Sequence, residues 1–209
     1  MGPDDFIIDG SSSAPLTLVL AHGAGAPMDS PFMATIAHAL AGDDLRVARF
    51  EFPYMRARRE HHGRSAPDRE AVLLQTWRDV IANLGGGSQL AIGGKSLGGR
   101  IASMVADEAQ VRGLVCLGYP FHPPGKPPGA RLKHLKTLRT PALIVQGTRD
   151  NFGGRSEVEG YELSAQIRIA WIEDGDHSFK PRARSGRTEK QNLDAAIDPV
   201  RDFLNALRH

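Results

Sequence analysis

Cysteine is all but missing: Cys116 stands alone in 209 residues. No intrachain disulfide can form, which fits a reducing compartment. No uninterrupted apolar run approaches the ~20 residues that span a bilayer, so no membrane association is expected. The amino-terminus, MGPDDFIIDG, has acids where a secretory signal carries Lys or Arg. Export is therefore not expected, and the expected location is cytoplasmic. A one-sided charge is lacking too. Twenty-six basic and 24 acidic residues leave a formal net charge of +2, too balanced for a dedicated nucleic-acid binder despite a pI near 8.9. Nor is the chain poor in core-forming residues. Hydrophobic residues are 41% and charged residues 24%, which argues against extensive disorder.

Glycine and proline are plentiful, 23 and 14 residues, and predict many tight turns. The length suits one domain over 1–209, and no repeat or long linker divides it. The charge is unevenly spread. Residues 55–66 carry +3 and residues 178–190 carry +4, so the remainder sums to −5. Both basic stretches read as polar loops.

Strand and helix signals alternate along the chain. Leu16–Ala21 reads as a buried strand, followed by a Gly-rich turn and a helix over Phe32–Leu40. Arg46–Phe52 alternates as a strand does. The clearest helix runs from Asp68 to Leu84, with Leu73, Trp77, Val80 and Leu84 on one face and Gly85-Gly86-Gly87 as its stop. Further strands are expected at Gln89–Gly93, Val111–Gly118, Pro141–Gly147 and Ile167–Ile172. Helices are expected at Gly99–Asp107, Glu157–Ser164 and Thr188–Leu207, the last kinked or broken at Pro199. The alternation implies a three-layer α/β fold: a mostly parallel sheet of about six to seven strands with helices on both faces. In such sheets the functional loops lie beyond the carboxyl ends of the strands.

One turn carries chemistry by its context. Gly94-Lys95-Ser96-Leu97-Gly98 matches G-x-S-x-G between a strand and a helix, where the serine is forced onto a sharp, exposed turn. Alone, it could be a glycine turn that happens to contain serine. A serine nucleophile needs a base and an orienting carboxylate. Asp150 follows the strand ending at Gly147, and His177 follows the strand ending at Ile172. The order Ser96, Asp150, His177 is the order this motif demands. Asp174 and Asp176 are rival acids in the histidine's own loop. His22-Gly23-Ala24-Gly25, after the first long strand, can aim a backbone N–H at an oxyanion. Ala24 N–H and Leu97 N–H are the candidate donors, and His22 itself reads as structural. Cys116 and the two tryptophans read as core. Lys95, Tyr119 and His122 are candidates for the substrate-site rim. His61-His62 lacks the spacing of a metal site.

The runs HGAGAPMDSPF, GGKSLGGR, GYPFHPPGKP, QGTRDNFG and DGDHSFKPR together resemble the α/β-hydrolases over nearly the whole chain. The likeness is to small, lid-poor, dienelactone-hydrolase-like members. It extends to a branch that includes the testis-expressed hydrolase-like protein and a nonspecific-lethal chromatin-complex subunit. The resemblance implies Ser96 as nucleophile, His177 as base and Asp150 as its acid partner, with no cofactor and no metal. It does not fix the substrate: a small-molecule, soluble ester or thioester, neutral or anionic, is the expected one, with an amide or carbon–carbon bond left open. Only Tyr119–Arg139 stands where larger members insert a lid, so no large cap domain is expected and the site should be open. The basic stretches would then face the site and attract anionic substrates; the competing reading is solvated Arg-rich loops. A phosphate-binding loop fails because Gln89 stands where its first glycine belongs. A non-catalytic interaction module remains the alternative from another class. No segment signals an oligomeric state.

Overall fold

The computed structural model describes residues 5–61, 66–127 and 129–208. Seven strands form one sheet in the order β1-β3-β2-β4-β5-β6-β7. These are β1 (Phe6–Asp9), β2 (Leu16–Ala21), β3 (Leu45–Phe50), β4 (Leu90–Lys95), β5 (Gly113–Leu117), β6 (Ala142–Gly147) and β7 (Ile167–Ile172). All neighbours pair in parallel except β1, which runs antiparallel to β3 with Phe6 opposite Phe50. The helices are α1 (Pro31–Leu40), α2 (Pro53–His61), α3 (Glu70–Asn83), α4 (Leu97–Val105), α5 (Arg155–Val158) and α6 (Glu189–Ala206).

Strand alternation builds two cores, one on each face. Val19, Ala21, Ile92, Cys116 and Ile144 face a cluster containing Leu73, Trp77 and Val80 of α3 and Ile101 and Val105 of α4. Leu18, Leu20, Ala91, Val115 and Val145 face a cluster with Met33 and Ile36 of α1 and Ile197, Val200 and Leu204 of α6. The central strands are thus apolar on both faces, as a covered parallel sheet requires.

Four expectations need correction. β1 was not expected; it is four residues long, with a mixed burial pattern and little periodic signal. The first basic stretch is not a loop at its start: α2 covers it to His61. Pro53 begins this helix, where the missing N–H is harmless, and Tyr54 and Met55 bury its first turn. Positions 62–65 of that stretch, with the second member of the His61-His62 pair, lie outside the described residues. Only Arg155–Val158 is helical where Glu157–Ser164 was expected to be. The helix α6 runs unbroken through Pro199. Its start is secured by Thr188 and Gln191, whose side chains each accept from the other's backbone N–H. Buried Ala196, Ile197, Val200 and Leu204 hold it to the sheet on both sides of the proline. Among the described residues no helix is long and apolar enough to cross a membrane.

Chain order reverses at the centre of the sheet. From β2 the chain moves outward to β3, then returns to place β4 on the other side of β2. The turns after β2 and β4 therefore part company in adjacent strands and leave a crevice between them, where ligands bind in open α/β sheets.

Candidate active site

The strand β4 is buried along its whole length and ends at Lys95. Ser96 follows with φ 51° and ψ −111°, a left-handed conformation that a side-chain-bearing residue adopts only under constraint. Its N–H is tied to Leu117 O at 3.0 Å, and α4 begins at the next residue. The flanking glycines allow that crossing. A Cβ on Gly94 would sit 2.2 Å from Ala21 O, and one on Gly98 would sit 2.4 Å from the same oxygen. The strand β2 and the start of α4 touch through backbone at this point.

Ser96 Oγ lies 2.8 Å from His177 Nε2. His177 Nδ1 lies 2.7 Å from Asp150 Oδ2. Asp150 is buried, and its other contacts fix its rotamer: Oδ1 accepts Phe152 N–H at 2.8 Å, and Oδ2 accepts Gln146 Nε2–H at 2.9 Å. Gln146 is held in turn, accepting Tyr119 N–H through Oε1 at 2.7 Å and donating to Gly153 O at 3.0 Å. The Phe152 ring packs on the imidazole, centroids 4.3 Å apart.

The rival acids do other work. Asp174 sits at φ 53° and accepts from Arg182 Nε at 2.7 Å and Arg182 N–H at 2.7 Å, with Arg149 Nε 3.0 Å away. The Arg182 contact holds its carboxyl down to about 2. Asp176 Oδ1 accepts the N–H groups of Ser178 and Lys180 and so shapes the turn around His177. Asn192 of α6 donates to Glu173 O and Phe179 O and anchors both ends of the same loop.

Ala24 and Leu97 flank Ser96 from the turn after β2 and the first turn of α4. Among the described residues neither amide N–H meets a protein acceptor. The α4 amino-terminus adds its positive dipole end at Ser96. His22 is buried beneath the turn. Its Nε2 accepts Phe52 N–H at 3.1 Å, so Nδ1 carries the proton and donates to Gly23 O at 2.7 Å. Burial holds its pKa below the usual imidazole value.

A cleft of about 310 Å³ opens over Ser96 and His177, with Gly23–Ala26, Ser30, Phe32, Met33, Lys95, Phe152 and Ser178 as walls. Lys95 is thus in the wall, but the other two rim candidates are not. The Tyr119 ring is fully buried and its hydroxyl donates to Arg131 O at 3.1 Å. His122 is held by Pro123 O at 2.8 Å and Glu157 at 3.0 Å. Both side chains turn back into the body after β5, where apolar neighbours such as Phe121 accept the tyrosine ring. Phe32, Met33, Phe152 and Gln146 were not singled out from sequence. Nothing separates a cleft phenylalanine from a core one before the loops are placed.

A second serine–histidine pair, Ser103 Oγ to His134 Nε2 at 2.8 Å, has a different character. Ser103 is buried within α4 and its hydroxyl donates to Arg100 O at 2.7 Å. Among the described residues no carboxylate is hydrogen-bonded to His134, so the pair clamps α4 to the loop beneath it. Among the described residues no group of three or more His, Cys, Asp or Glu is placed to hold a metal ion.

The comparisons with known proteins agree with this architecture. A structure of an alpha-beta serine hydrolase homologue from Coxiella burnetii is 21% identical, covers 96% of this chain and 94% of its own, and superposes with a TM-score of 0.66. An a/b serine hydrolase without lid from Xanthomonas campestris is 18% identical over 95% of this chain and 88% of its own, with a TM-score of 0.63. Dienelactone hydrolase from Anabaena variabilis is 18% identical over 96% and 90%, with a TM-score of 0.70. At these identities the likeness is one of fold. The family described as alpha/beta hydrolase domain matches residues 14–205, from the start of β2 nearly to the end of α6. The chain belongs to the α/β-hydrolase family.

Proposed function

We propose that the chain is a serine hydrolase, one α/β-hydrolase domain over 1–209, that cleaves small esters or thioesters through an acyl-enzyme. The observation that carries this reading is the continuous hydrogen-bonded chain Ser96–His177–Asp150, with Ser96 at φ 51° between β4 and α4. Ser96 Oγ attacks the substrate carbonyl carbon while its proton passes to His177 Nε2. Asp150 holds Nδ1–H, which keeps Nε2 free to accept and stabilises the imidazolium. The tetrahedral oxyanion takes the N–H groups of Ala24 and Leu97, neither of which meets a protein acceptor among the described residues. Collapse breaks the ester or thioester bond, and the imidazolium protonates the departing oxygen or sulfur. Water then repeats the sequence on the acyl-Ser96 ester, releasing the acid. The cleft volume and its Phe32, Met33 and Phe152 walls support a short acyl group.

The test is labelling by a fluorophosphonate probe, with hydrolysis of p-nitrophenyl butyrate and a butyryl thioester measured alongside. Wild type should label and turn over, and Ser96→Ala should do neither. Folded wild-type protein that shows no Ser96-dependent labelling would favour the non-catalytic interaction module.

A further inference from the structure

Lys95 is the residue the mechanism leaves unused. It precedes the nucleophile, lines the cleft and is only 9% exposed. Its side chain passes under the turn after β2, so close that a Cβ on Gly23 would lie 3.3 Å from Lys95 Cγ. The ammonium donates to His177 O at 2.5 Å and stands 5.6 Å from the centroid of the Phe32 ring. An ammonium has three donors. Among the described residues no second acceptor meets them, and no carboxylate lies within 4.0 Å. Buried charges are ordinarily paired, because an uncompensated one is costly. Here a cation with no direct ion pair among the described residues, and only the more distant charges of Asp150 and Asp176 to compensate it, belongs to a wall residue of a mainly apolar cleft, beside the proposed nucleophile.

We propose that Lys95 is a specificity-determining residue that selects substrates bearing a carboxylate a few carbons from the scissile carbonyl. The inference rests on the Ser96 reading above. The substrate carboxylate would supply a direct ion pair and acceptors for the remaining ammonium donors. Wall residues Phe32 and Met33 cover the carbons between the two groups. Burial also lowers the Lys95 pKa to about 8, so its charge is lost within an accessible pH range. The other titratable groups facing it are Asp150 from the loop after β6, and Asp176 and His177 from the loop after β7. Their charges also act on an anionic substrate, so the ratio of rates is compared between wild type and Lys95→Met to isolate Lys95.

The experiment compares kcat/KM for monoethyl succinate, glutarate and adipate with ethyl butanoate, pentanoate and hexanoate. A second arm compares 3-acetoxypropanoate with propyl acetate, which places the carboxylate on the leaving group. Wild type should favour the anionic member of at least one pair by about tenfold or more, as a charge-assisted contact allows. The arm that responds identifies the side on which the carboxylate is carried. In Lys95→Met the ratio should fall to about one, whatever happens to the absolute rates. The wild-type ratio should also decline between pH 7 and pH 9.5. That measurement decides the matter should Lys95→Met fail to fold. A wild-type ratio near one in both arms, a preference that survives in folded Lys95→Met, or a ratio flat with pH would overturn the inference. Ser96-dependent hydrolysis without charge preference leaves the serine-hydrolase reading intact. Loss of Ser96 dependence for every ester removes both.

Discussion

Replacing Asp150 by Asn tests the proposed acid at a single atom. The carboxylate receives three donors: His177 Nδ1–H and Gln146 Nε2–H on Oδ2, and Phe152 N–H on Oδ1. Gln146 cannot turn over to help, because its Oε1 already accepts Tyr119 N–H and its Nε2 donates to Gly153 O. An Asn side chain must therefore choose. With its oxygen at the Oδ2 position it keeps two donors, and its NH₂ opposes Phe152 N–H. With its oxygen at the Oδ1 position it keeps one donor and forces the His177 proton onto Nε2, where it can no longer accept from Ser96. Each arrangement satisfies two donors, because in the second the Asn NH₂ donates to the unprotonated Nδ1 while Gln146 keeps Gly153 O and Tyr119 O. In the first the tautomer survives, and what is lost is the charge-assisted bond to the imidazolium, worth about 1.5–3 kcal/mol. At about tenfold per 1.4 kcal/mol, kcat should fall by roughly 10- to 150-fold. The second arrangement would push the loss toward ~10⁴-fold, the serine-protease precedent for a wrong tautomer. Steady-state kinetics on p-nitrophenyl butyrate would measure it, with Asp174→Asn as the companion. Asp174 touches Arg182 and Arg149 and not the imidazole, so its kcat should stay within about fivefold of wild type. A near-normal Asp150→Asn beside an inactive Asp174→Asn would refute the assignment.

Ser96→Ala should abolish turnover while leaving urea-unfolding stability within about 0.5 kcal/mol of wild type, since it removes one partly exposed hydroxyl. A large loss of stability would mean that Ser96 is chiefly structural. Gly98→Ala should destabilise by about 1–3 kcal/mol, because its Cβ would meet Ala21 O at 2.4 Å and His22 O at 2.7 Å, both backbone. An unfolding midpoint equal to wild type would show that β2 and α4 can separate at no cost. Asp174 ionises at about 2 in the fold against 3.8 for an unperturbed carboxyl. The folded chain then holds fewer protons between those values. The resulting stabilisation is full above about pH 4 and is lost as pH falls through 2. Asp174→Asn should remove this component from the acid-unfolding curve, and an unchanged curve would locate the acid sensitivity elsewhere.

Period and punctuation made much of this fold legible in the sequence. The run at 16–21 and the face of Leu73, Trp77 and Val80 are strong because burial on both sides of a parallel sheet demands them. The triad candidates were legible because each follows a strand and the chain order admits one arrangement. Other elements left no such trace. The strand β1 is short and lies at an edge, where one partner, β3, suffices. The helix α2 is rich in Arg, a good helix former, but among its described side chains only Tyr54 and Met55 are buried, at its first turn, so no apolar stripe repeats. Tyr119 and His122 stood at the correct edge by chain position. Their side chains turned inward because rotamer and packing, not sequence distance from a strand, decide which face a loop residue shows. Gln146, inside a strand that otherwise reads as core, became legible only once Asp150 and the backbone of Tyr119 were in place.

The same limit applies to charge. The sequence shows two basic stretches over an acidic body, and that asymmetry suggests a positive rim. The side chains mostly spend it locally. Arg59 reaches Asp29 and Glu51, and Arg56 reaches Asp5. Arg182 is held by Asp174, Lys180 lies 3.7 Å from Glu189, and Lys190 pairs with Asp194. The pairs exposed on both sides, such as Lys180–Glu189 and Lys190–Asp194, contribute little stability, and all of these pairs leave little field for a distant anion once salt screens it. Lys95 differs on each count. It is one charge, shielded from water, with no carboxylate in direct contact among the described residues, on a residue in the wall of the cleft. A buried charge acts through a lower dielectric and is screened far less by salt. If this chain prefers anionic substrates, raising the salt concentration should weaken the preference only slightly, whereas a preference made by the rim would collapse.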